Sequence, residues 1–77
     1  MKVYCFAWDT ADGNTVSKFH YSPSARDYWF KLPETPKGAV AFDMEVPANA
    51  TYEQIEDLVH TSATWRWYLQ GTQKVAA

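Results

Sequence analysis

One stretch near the middle of the chain constrains its fold more than any other. Val40, Phe42, Met44 and Val46 alternate with Ala39, Ala41, Asp43 and Glu45. That is the period-two pattern of a strand with one face in a core and Asp43 and Glu45 in water. Pro47 cannot join a hydrogen-bonded ladder and ends the strand. After a short loop, Thr51 stands three residues before Gln54. The pair forms a capping box, with a hydroxyl and an amide serving each other's backbone N–H groups. Tyr52, Ile55, Leu58 and Val59 then share one helical face, and Glu53, Glu56, Asp57 and His60 the other. A strand therefore feeds an amphipathic helix, and Phe42 is expected in the core.

The chain has 77 residues, which allows one domain. Earlier in the sequence, Lys2 to Trp8 reads as a strand with Val3, Cys5 and Ala7 on one face and Tyr4, Phe6 and Trp8 on the other. Both faces are apolar, so this strand is expected in the centre of the sheet or covered on both sides. Asp12-Gly13-Asn14 is turn chemistry. A second strand follows over Thr15 to Tyr21, completing a hairpin. Ser22-Pro23 suits the start of a helix, with Ser24 and Asp27 as a rival capping box. A short helix over Ala25 to Leu32 is the preferred reading, although Tyr28-Trp29-Phe30 suits a strand as well. Pro33, Pro36 and Gly38 then impose a loop.

Two readings compete after Thr61. Trp65, Trp67 and Leu69 alternate with Arg66, Tyr68 and Gln70, which suits a strand. The rival is a single helix from Tyr52 to Gln70 with Gly71 as its cap. Thr61-Ser62-Ala63-Thr64 is poor helix interior and Trp-Arg-Trp-Tyr is rich in strand formers, so the strand is preferred. Residues 72–77 are expected to fray. The order β-β-(α)-β-α-β predicts an α+β domain: a mostly antiparallel sheet of three to four strands with one or two helices on one face.

Formal net charge is −2, which argues against a phosphate-backbone binder. No Lys or Arg lies between Lys37 and Arg66, and Asp43, Glu45, Glu53, Glu56 and Asp57 all fall in that window. One side of the molecule is expected to be acidic. A single cysteine cannot form an internal disulfide, which suits a cytoplasmic setting. The residues from Met1 to Tyr4 open a strand-like run rather than a signal peptide. No apolar run approaches the roughly 20 residues of a membrane span.

Aromatic residues make up 17% of the chain, with 4 Trp, 5 Tyr and 4 Phe. A core of this size holds roughly 15–20 side chains, so some rings are expected at the surface. Exposed Trp and Tyr are enriched where proteins bind one another. Trp65, Arg66, Trp67 and Tyr68, together with Tyr28 and Trp29, are the candidate contact residues. Glu53, Glu56 and Asp57 supply electrostatic steering towards a protein partner with a basic surface, within a larger complex.

Other constellations have plainer readings. Glu53, Asp57 and His60 have helical spacing for a metal, but they also suit the helix dipole. Cys5 and His20 lie on neighbouring predicted strands, but a cysteine among apolar neighbours is usually a core residue. Asp9, Asp12 and Asn14 resemble part of a calcium loop but lack its closing glutamate. The expected function is a small non-catalytic protein-binding domain that needs no cofactor. Virus-encoded inhibitors of host machinery, anti-CRISPR-type proteins among them, share this genre without a resemblance at any residue. The alternative is a single-stranded nucleic-acid or nucleotide-binding module that stacks bases on its aromatic clusters.

Overall fold

A computed structural model describes the backbone of residues 1–76 and the side chains of residues 1–64. Three strands form an antiparallel sheet: β1 (Lys2–Asp9), β2 (Thr15–His20) and β3 (Val40–Glu45), in the order β2-β1-β3. Two helices complete the α+β fold, α1 (Pro23–Phe30) and α2 (Tyr52–Ala76). Among the described residues, no helix is long and apolar enough to cross a membrane.

The register explains why β1 is apolar on both faces. Cys5 stands opposite Phe19 on one side and Phe42 on the other, and Val3 stands opposite Met44. Directly opposed residues point to the same face, so these side chains form one layer. Val3, Cys5, Ala7 and Phe42 are buried there against Ile55, Val59 and Ala63 of α2. Each fully buried Ile or Val contributes about 1.5–3 kcal/mol. Tyr4, Phe6 and Trp8 point to the opposite face, as do Lys18 and His20 of β2. There α1 packs over part of this face: Phe30 meets Phe6 edge-on at 5.7 Å. The sheet is thus clad on both faces, where the sequence placed the helices on one.

Local chemistry sets each boundary. Thr10 N–H donates to the Asn14 carbonyl at 2.7 Å to close the hairpin, and Gly13 takes the left-handed φ of 89°. The Ser22 hydroxyl accepts from Ala25 N–H at 3.2 Å, with Pro23 opening α1. That fixes α1 at Pro23–Phe30, two residues earlier than expected at each end. At α2 the capping box is complete: Thr51 N–H donates to Gln54 Oε1 at 2.9 Å, and Gln54 N–H to Thr51 Oγ1 at 3.2 Å. Met1 and Val46 extend the β1–β3 ladder by exchanging backbone bonds of 2.8 Å.

Two expectations are corrected. Segment 64–70, read as a strand, is helical, and α2 runs past Gly71. Ile55, Val59 and Ala63 recur every four residues as one buried stripe, and that burial outweighs the weak propensity of Thr61 to Thr64. The Thr64 hydroxyl also donates to the His60 carbonyl at 3.0 Å, which accommodates a threonine within a helix. The second correction concerns the width of that stripe. Tyr52 and Leu58, expected inside, are 62% and 42% exposed, because the stripe is narrower than the helical face first drawn.

Candidate functional site

The two sheet faces carry different chemistry at their margins. On the α2 side, Phe19 of β2 touches two rings that reach into solvent. Its centroid lies 5.7 Å from that of Tyr21 and 5.1 Å from that of Tyr52. Tyr21 is 57% exposed, immediately beyond the end of β2. Tyr52 opens α2, and Glu56 stands one turn further on. Both line a hollow of about 170 Å³ together with Ser17 and Phe19. Glu53 and Asp57 are exposed on the same helix. Among the described residues, none of these three acids is in an ion pair. Two tyrosines anchored on a phenylalanine thus adjoin three exposed carboxylates, with Lys18 on the rim of the same hollow. Such a margin can bury rings against another protein and attract a basic surface.

On the α1 side, the sheet and the loop after α1 enclose a larger groove of about 500 Å³. Its floor is a ladder of nearly parallel rings. Trp8 and Phe6 lie 5.9 Å apart at 20°, Phe6 and His20 6.2 Å apart at 9°, and His20 and Trp29 6.3 Å apart at 1°. Phe6 is buried, while Trp29 is 49% exposed and presents its ring to solvent. Lys18 and Glu34 stand on the walls. Burial pushes the His20 imidazole below its ordinary pKa, and the charges of Arg26 and Lys18 push in the same direction.

Arg26 belongs to the scaffold of this face. Its Nη1 donates to the Cys5 carbonyl at 3.2 Å and to the Phe42 carbonyl at 3.4 Å. Its Nε donates to Asp27 at 2.7 Å, and Nη1 lies 3.6 Å from Asp43 Oδ1. The guanidinium also sits 6.0 Å from the centre of the Tyr4 ring. One arginine therefore fastens α1 to β1 and β3.

The structure separates several residues that the sequence grouped. Tyr28 and Trp29 are exposed on α1, whereas Glu53, Glu56 and Asp57 are on α2, across the sheet. Those five residues therefore divide between two surfaces. Trp65, Arg66, Trp67 and Tyr68 lie outside the described side chains. Cys5 faces α2 and His20 faces α1, so the sheet divides the candidate nucleophile pair. Asp9 and Asp12 serve the hairpin: Asp9 accepts from the Thr15 hydroxyl at 2.8 Å, and Asp12 from Thr10 and Asn14. The Thr10 hydroxyl and the Asp12 backbone N–H hold the Asp12 carboxyl below its usual pKa. His60 Nδ1 pairs with Ser17 Oγ at 3.3 Å, tying α2 to β2.

Sequence reasoning missed Tyr21 and Tyr52 as surface rings, and Phe6, Trp8 and His20 as groove floor. No protein-family model, no curated protein and no solved structure matches the chain.

Proposed function

We propose that the protein is a non-catalytic binding domain that docks on another protein through Tyr21, Phe19 and Tyr52. The acidic row of Glu53, Glu56 and Asp57 steers it to a basic patch on that partner, within a larger complex. It works by occupying a surface and blocking it, as virus-encoded inhibitors of host machinery do, in the cytoplasm. One observation carries this reading: two exposed rings of this margin converge on Phe19 beside the exposed carboxylates of α2. Rings anchored on a half-buried neighbour lose little freedom on binding, so their burial translates into affinity. The division of Cys5 from His20 by the sheet supports a non-catalytic role. The cytoplasmic setting fits a chain whose single cysteine cannot form an internal disulfide.

The test is capture from a lysate of the source cells on immobilised protein, with mass spectrometry of what is retained. Tyr52→Ala combined with Glu56→Lys is the control, its fold checked by circular dichroism. A partner retained by the parent and lost from the variant supports the reading. A partner retained equally by both removes this margin from the interface.

A further inference from the structure

We propose that the groove on the α1 side binds a mononucleotide, its base stacked on the ring ladder, its phosphate on Lys18 and its ribose hydroxyls on Glu34. The groove opens on the other side of the sheet from the protein-docking margin, and the two hollows share Lys18 and His20 of the edge strand β2.

Three observations carry the proposal. The first is the ladder itself. Trp8, Phe6, His20 and Trp29 come from β1, β2 and α1, yet successive planes differ by only 20°, 9° and 1°. Aligned rings give a planar guest one continuous orientation in which to stack, and every nucleobase has a face to offer. Core packing favours edge-on contacts as readily, as Phe6 and Phe30 show at 68°. The second is volume. About 500 Å³ lies within the range of roughly 300–1,000 Å³ typical of small-molecule sites. The third is charge. Lys18 and Glu34 line the same groove, and among the described residues neither is in an ion pair. A mononucleotide answers both: an ammonium takes a phosphate, and a carboxylate accepts from a vicinal diol.

A strand of nucleic acid is the poorer occupant. It needs a track of cations, and this face of the sheet carries Asp43 beside Tyr4 and Glu45 beside Lys2. The Arg26 guanidinium is engaged by backbone carbonyls and Asp27.

The experiment is a two-dimensional NMR titration of the full chain with adenosine 5′-monophosphate, following the Trp8 and Trp29 indole N–H signals and the His20 ring. Saturation at these signals with a Kd of about 1 mM or tighter is expected. Lys18→Gln is expected to weaken the monophosphate about tenfold while leaving adenosine unchanged. Trp29→Ala is expected to weaken both. Tyr52→Ala with Glu56→Lys is expected to weaken neither, so failure of the docking margin and failure of this site are told apart. Absence of saturable shifts at the three groups overturns the proposal. So does equal affinity for the monophosphate in the parent and Lys18→Gln, which would mark a site for any flat ring. N-acetyltryptophanamide binding more tightly than the monophosphate would assign the groove to a protein side chain instead.

Discussion

The His20 imidazole lies parallel to the Trp29 indole, with 1° between their planes and 6.3 Å between their centres. This contact joins β2 to α1 and holds a titratable ring in a partly dry setting. Lys18 stands on its strand, Tyr4 opposite it on β1, Arg26 on α1 and Glu34 in the following loop. Burial, Arg26 and Lys18 all disfavour the charged form, so the folded protein protonates His20 at lower pH than the unfolded chain does. Unfolding therefore takes up a proton below the ordinary value of 6.5, and stability falls as pH drops through that point. Above it the effect vanishes. In urea titrations at about pH 7.5 and about pH 5, the parent is expected to lose more stability between the two than His20→Gln. Equal losses would show that the ring titrates as in water.

Phe42 is 7% exposed and sits opposite Cys5 in the layer that α2 covers. Phe42→Ala is expected to cost about 3–5 kcal/mol, as truncation of a core aromatic does. A chain of this length has roughly 4–11 kcal/mol in all, so the variant loses a large share of its stability and melts well below the parent. Cooperative melting near the parent temperature would contradict that placement.

Arg26 is the fastening between α1 and the sheet, and its side chain is 13% exposed. Arg26→Met keeps much of the aliphatic stem but removes the bonds to the Cys5 and Phe42 carbonyls. A loss of about 2 kcal/mol is expected in chemical unfolding, within the range for hydrogen bonds to charged groups. Selective loss of hydrogen-exchange protection in α1 is expected alongside it. A variant as stable as the parent would show that the ring contacts alone hold the helix.

Glu53→Lys with Glu56→Lys is expected to leave the fold intact, because both side chains are exposed and outside any ion pair among the described residues. Partner association is expected to slow, with a weaker dependence on salt. Association kinetics unchanged at low salt would make these acids ordinary solvated surface.

The elements with period-two or capping chemistry were legible in the sequence. The apolar double face of β1 pointed to a central or doubly covered strand, although the helices were expected on one face, and Thr51 with Gln54 foretold the start of α2. The fate of segment 64–70 was not legible, because local propensity pointed one way and the stripe continued through Ala63 pointed the other. Only a sheet already in place decides between them. The groove was hidden for another reason: Phe6, Trp8, His20 and Trp29 lie on three elements, and no spacing along the chain joins them. Tyr28 and Trp29 could not be placed relative to Glu56 from the sequence, because that depends on which face of the sheet each helix covers. Tyr21, read as part of a strand, and Tyr52, read as part of a buried helical face, are instead 57% and 62% exposed.

The most direct test is calorimetric titration of the purified partner with the parent and with Tyr52→Ala. The account predicts that the substitution raises Kd roughly thirtyfold, the loss of about 2 kcal/mol that marks an interface anchor, while the melting temperature stays close to the parent's. An unchanged Kd with this ring removed would contradict it.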